Sequence, residues 1–160
     1  MTNLKSDLTD QQSLTIMSFI SGKNYSLAAQ TILSSDNYLE RRYQLLLPVN
    51  MLIGHSLECY LKSILYKGGL SEADIRRDFG HDLVKLHPEA TKHGMELSDK
   101  FYALMALHAK GHSKETDYAF RYPKRGAEFF DMKPDVLIEN LKIIDSEFGL
   151  FINPEEYLSP

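Results

Sequence analysis

The sequence predicts an all-α protein, a four- to five-helix up-and-down bundle entered through two short N-terminal helices. Apolar residues recur at three- and four-residue spacing through nearly the whole chain. Alternating Val/Ile/Thr-rich stretches bounded by hairpin turns are missing. Ser, Asp or Pro precede the periodic stretches and Gly follows them, the usual order of helix start and stop signals.

Two short helices are expected first, over residues 11–20 and 25–33, separated by Ser21-Gly22-Lys23-Asn24. The principal helix then starts near Asp36 or Asn37, either a good N-cap, and runs to Lys67, where Gly68-Gly69 stops it. If continuous it is ~45 Å long at 1.5 Å per residue. Pro48 predicts a kink or a fresh start, because its ring removes a donor and clashes with the carbonyl four residues back. Residues 49–66 form one helix in either case. Residues 71–79 read as a short helix or turn ended by Gly80. Asp82 then caps a segment that turns Leu83, Val84 and Leu86 inward and is interrupted early by Pro88.

Ser98 caps the next helix, in which Phe101, Leu104, Met105 and His108 fall at i, i+3, i+4 and i+7 before Gly111. The last helix begins at Pro134 and presents Leu137, Ile138, Leu141, Ile144 and Phe148 ahead of Gly149. Residues 111–133 form a loop that is long for a compact domain. Three regions are expected: an N-terminal helical extension (1–35), the bundle (36–150) and a tail (151–160).

At 160 residues and 43% hydrophobic, the chain can bury one substantial core but hardly two. A net charge of -4 gives no global attraction to nucleic acid or to an anionic membrane, so such a contact needs a local patch. The single cysteine, Cys59, cannot form an internal disulfide and sits in an apolar helical run, which predicts a core residue in a reducing compartment. The polar N-terminus does not read as a secretory signal, and no apolar run reaches the ~18 residues that span a bilayer. A cytoplasmic location with no membrane contact is expected.

Met51, His55, Glu58 and Lys62 line one stripe of the principal helix, and Gly54 beside them would let another backbone approach. The stripe reads either as a site or as a solvated face in which Glu58 and Lys62 pair, worth ~0.3 kcal/mol. Two residue pairs have metal-ligand spacing, His55 with Glu58 and His108 with His112, but neither is matched by a second helix carrying a like motif. No metal and no other cofactor is therefore expected. There is no Gly-x-Ser-x-Gly elbow and no phosphate-binding glycine loop. Between Lys110 and Arg125, five basic residues (Lys110, Lys114, Arg121, Lys124, Arg125) face two acidic ones (Glu115, Asp117), a net +3, with Tyr118, Phe120 and Tyr122 interleaved. Such rings can stack on bases while guanidinium groups hold phosphate, or they can cover the core and leave the charges in water.

Three stretches in this order, the one from His55 to Leu65 that carries Glu58 and Lys62, then Gly80-His81-Asp82-Leu83, then Arg121-Tyr122-Pro123 before a closing helix, resemble the HEPN superfamily of small helical nucleotide-binding domains. The resemblance covers residues 38–148. It implies a homodimer, and an activity among those of metal-independent RNases, toxins and partners of nucleotidyltransferases. The family's nucleases look like they use an Arg followed by His on the final helix, and that helix holds neither here. The pair with similar spacing, Arg76 and His81, lies in another element. The resemblance thus implies nucleotide or RNA binding without evident catalysis, through Glu58, Lys62, His81, Arg121 and Tyr122, with Asp82 beside them. The alternatives are an RNase using Arg76 and His81, and a structural or regulatory partner of a nucleotidyltransferase.

Overall fold

Helix α1, Asp10–Leu33, opens the fold. The computed structural model describes residues 8–112 and 132–158. Thr9 caps α1 through a reciprocal box: its hydroxyl accepts from the Gln12 N–H at 3.2 Å, and the Gln12 side chain accepts from the Thr9 N–H at 2.9 Å. The two short N-terminal helices expected from the sequence are this one helix. Gly22 does not break it, because tertiary packing outweighs a local propensity loss of ~1 kcal/mol.

Helix α2, Arg42–Lys67, is the long central helix. It starts later than expected, since residues 34–41 form turns, with Tyr38 buried among them. It is also one helix through Pro48. The carbonyl that Pro48 leaves without a helical donor is that of Gln44, an exposed residue in the first turn, where water can satisfy it. Helices α1 and α2 pack antiparallel. Gln11 donates to the Tyr66 and Leu70 carbonyls at 2.6 and 2.7 Å, the Phe19 and Tyr60 rings meet at 5.9 Å, and Tyr25 stacks on His55 at 5.4 Å. At the closest approach Ser56 Oγ donates to the Gly22 carbonyl at 2.9 Å. A Cβ on Gly22 would lie 2.7 Å from the Tyr60 ring.

Helix α3, Glu72–Asp78, capped by Ser71, carries the chain back along α2. Gly80 then turns it with φ 58°, a left-handed conformation that glycine adopts without strain. Helix α4, Leu83–Lys92, follows, and Asp82 caps it by accepting from the Val84 N–H at 2.9 Å. Leu83, Leu86 and Ala90 face the core, whereas Val84, expected inside, is 57% exposed. Nor does Pro88 interrupt this segment: the helix runs on to Lys92, and the carbonyl it deprives of a donor belongs to exposed Val84.

Helix α5, Asp99–Ala109, is capped by Ser98 and buries Phe101, Leu104 and His108 as its spacing predicts. Helix α6, Pro134–Ile152, buries Leu137, Leu141, Ile144 and Phe148 and continues past Gly149, where the sequence suggested an end. Lys67 Nζ donates to the Phe151 carbonyl at 2.6 Å and so supports the extra turn. Asn153, left-handed at φ 52°, stops it, and a 3-10 turn Pro154–Glu156 closes the described chain.

The core centres on Tyr60. Its ring stacks on Phe148 at 4.5 Å, Phe148 meets Phe101 at 5.6 Å, and its hydroxyl donates to Asp145 at 2.6 Å. Each such ring contributes ~1.5–3 kcal/mol by burial. No β-strand occurs among the described residues, and none of their helices is long and apolar enough to cross a membrane. The result is an all-helical bundle in which α2 touches every other helix.

Gly22→Ala tests the tight α1–α2 contact. Tyr60 is held by Phe148 and Asp145 and cannot retreat, so overpacking should exceed the gain in helix propensity and destabilise the chain by about 1–3 kcal/mol. A urea midpoint that rises instead would show that the ring yields.

Candidate functional site

A carboxylate that is 4% exposed must find partners or lose its charge, and Glu58 finds four. Two come from its own helix at helical spacing. Lys62 Nζ lies 2.8 Å from Oε1, and His55 Nδ1 lies 3.7 Å from Oε2. The third is His81, at the turn before α4, with Nδ1 2.7 Å from Oε1. The fourth is His112, just beyond α5, with Nε2 2.7 Å from Oε2. The carboxylate is thus divided: Oε1 meets Lys62 and His81, and Oε2 meets His55 and His112.

Burial alone would raise the Glu58 pKa. The hydrogen bond from His112, the nearby His55 and the Lys62 ammonium outweigh it and hold the group far below the usual carboxylate range. Glu58 is therefore ionised. By contrast, burial next to this charge pushes the Cys59 thiol up to about 12 and makes it unreactive, although Cys59 is only partly buried and lies outside the core in which the sequence suggests it.

Gly54 explains how His112 reaches the site. A Cβ there would stand 2.8 Å from His112 Nδ1 and 3.2 Å from Cγ, so the missing side chain lets the imidazole lie against α2. The sequence suggested a backbone at this notch, and a histidine ring fills it. His55 and His112 meet edge to face at 4.9 Å, and Tyr25 covers the outer face of His55. His108, expected as a companion of His112, turns away and bonds the Leu104 carbonyl at 2.8 Å.

Beyond Oε1 lies a cleft of about 240 Å³ lined by Lys62, Tyr66, Glu72, Ile75, Arg76, Gly80 and His81. Arg76 bonds Glu72 at 2.8 Å with its side chain 79% exposed, and the His81 side chain is 48% exposed. Three of the residues singled out in the sequence, Lys62, Arg76 and His81, thus line one cleft, and Glu58 bonds two of them, Lys62 and His81. Asp82 acts as a helix cap. Arg121 and Tyr122, with the rest of the aromatic and basic loop from 113 to 131, lie outside the described residues.

Burial lowers the His108 pKa from about 6.5 to about 4. The unfolded chain takes up that proton first, so stability is lost as pH falls from about 6.5 towards 4, by on the order of 3 kcal/mol. The depressed Glu58 adds a second loss, beginning as pH drops below the ordinary carboxylate pKa of ~4.3 and growing with further acid. Urea midpoints measured from pH 7 to pH 3 should fall throughout, and His108→Leu should flatten the upper part alone. A midpoint constant between pH 6.5 and 4.5 would contradict the assignment. The chain matches no protein-family model, no curated protein and no solved structure.

Proposed function

We propose that this chain is an HEPN-like helical domain that binds the phosphate of a nucleotide or an RNA in the cleft beside Glu58, as a binding module rather than a catalyst. The observation that carries the proposal is the meeting of Lys62, Arg76 and His81 at one concave surface. Arginine holds phosphate through paired N–H donors, while Lys62 and His81 supply charge and a further donor. Arg76 is free to turn towards a ligand at small cost, because an exposed pair such as Arg76–Glu72 is worth only ~0–1 kcal/mol. Glu58 then acts from behind, positioning Lys62 and His81 through Oε1. The resemblance implies Arg121 and Tyr122 as further ligand contacts and a homodimer, in the cytoplasmic location that the composition suggests.

The test is anisotropy of a labelled single-stranded RNA, and of a labelled nucleotide, at low salt. Arg76→Ala should weaken binding roughly tenfold and reduce the slope of log K against log salt by about one. Equal affinity and equal slope in this variant would remove the cleft from consideration, and Arg121→Ala tests the residue that the resemblance adds.

One observation favours a second reading, a metal-independent RNase: Arg76 and His81, the pair with nuclease-like spacing, line the same cleft. It predicts RNA cleavage in EDTA that disappears in His81→Ala, whereas intact RNA under those conditions supports the binding module. A stable dimer with no thermal shift from nucleotide or RNA would point instead to a regulatory partner of a nucleotidyltransferase.

A further inference from the structure

The Oε1 side of Glu58 faces the cleft, and the Oε2 side has a different chemistry. His55, Glu58 and His112 each offer one ligand atom, and the three atoms lie within 4.8 Å of one another; His55 Nδ1 and His112 Nε2 both approach Oε2. We propose that these three side chains form a binding site for a divalent first-row transition metal, with zinc as its natural occupant. This site lies on the other oxygen of Glu58 from the phosphate cleft, and it would hold whether or not the cleft binds phosphate.

The charge balance of the cluster gives the first argument. One ammonium, that of Lys62 at 2.8 Å, matches the charge of Glu58, and the imidazoles are donors beyond that one-to-one match. A salt bridge stabilised for packing calls for one cation, whereas this carboxylate has gathered three imidazoles besides.

Geometry gives the second. Ligands at ~2.0–2.2 Å from a tetrahedral metal stand about 3.4 Å apart. The separation of His55 Nδ1 from Oε2, 3.7 Å, is near that value. The His112 contact at 2.7 Å is a hydrogen bond, and it would lengthen by about 0.7 Å as the metal takes the proton's place. The edge-to-face arrangement of the two rings keeps them from colliding as both turn a nitrogen towards one point.

The surroundings give the third. Metal-binding carboxylates are normally held by hydrogen bonds to the oxygen that does not ligate, and Lys62 and His81 hold Oε1 in this way. The donor set of two imidazoles and one carboxylate suits zinc and disfavours calcium and magnesium, which prefer oxygen alone. His55 is 21% exposed at its side chain and provides the entry, while His112 is fully buried behind it.

The whole chain, stripped with chelator and dialysed, would be titrated with zinc by calorimetry and with cobalt(II) by visible absorption. One metal per chain is expected, with the intense d–d bands of a four- or five-coordinate cobalt site. His55→Ala, at the rim of the site, should keep the native circular dichroism and weaken zinc binding more than about 100-fold. His81→Ala, which removes a donor to Oε1, the oxygen away from the metal, should weaken it about tenfold. Arg76→Ala should leave zinc binding unchanged while weakening RNA, which separates this site from the cleft. The proposal is overturned if the native chain binds no zinc, if His55→Ala binds it as tightly, or if His81→Ala is the more damaging of the two.

Discussion

The ionised carboxylate of Glu58, buried inside a helical bundle, is the constraint on which this structure turns. Moving such a charge out of water costs several kcal/mol even after the protein relaxes, and the charge survives only where donors surround it. A single helix cannot supply them. Lys62 and His55 come from α2, but the remaining donors come from the turn before α4 and the end of α5. The short α3, the left-handed Gly80 and the Asp82 cap together return the chain to the level of Glu58 and aim His81 at Oε1. Gly54 does the same for His112 by leaving room for its ring.

The other face of α2 meets a similar demand in a different way. Tyr60 is buried beside Asp145, and the two share a hydrogen bond of 2.6 Å, while Gln30 from α1 donates to the second Asp145 oxygen at 3.0 Å. Burial and the neighbouring Asp145 charge raise the Tyr60 pKa, so its hydroxyl remains a donor. One polar network therefore joins α1, α2 and α6, and the other joins α2 to the segments that follow it. Apolar packing fills the space between them, and because it is non-directional it leaves the register of the helices to these hydrogen bonds.

Local signals in the sequence carried much of this. The caps Asp82 and Ser98 and the core faces of α5 and α6 follow from residue chemistry and a 3.6-residue period. Local signals mislead most where a breaker lies inside a packed helix, as at Gly22 and Pro88, while Pro48 leaves continuity open and the structure has one helix through it. Gly22 reads as a break, yet it serves a close approach between α1 and α2. The carbonyls that Pro48 and Pro88 affect belong to exposed residues. The candidate site was partly visible, since Glu58 and Lys62 share a helical face and His81 belongs to a recognisable turn. Sequence spacing pairs His112 only with His108, four residues away. No spacing rule links position 112 to position 58, and Gly54 was the single local hint that something must lie against α2.

The two oxygens of Glu58 also differ in how easily their partners can be exchanged. On the Oε1 side His81 is nearly half exposed and Lys62 partly so, so a ligand in the cleft can take one of their hydrogen bonds without opening the core. On the Oε2 side His112 is wholly buried, and its contact with Glu58 can be replaced only by something small that enters past His55. A bulky anion suits the first environment and a bare cation the second. A carboxylate needed only for stability would gain little from this asymmetry, because replacing a buried ion pair by apolar side chains of similar volume often costs nothing. A buried charge with different partners on its two oxygens fits the two ligands proposed above, an anion on the Oε1 side and a metal ion on the Oε2 side.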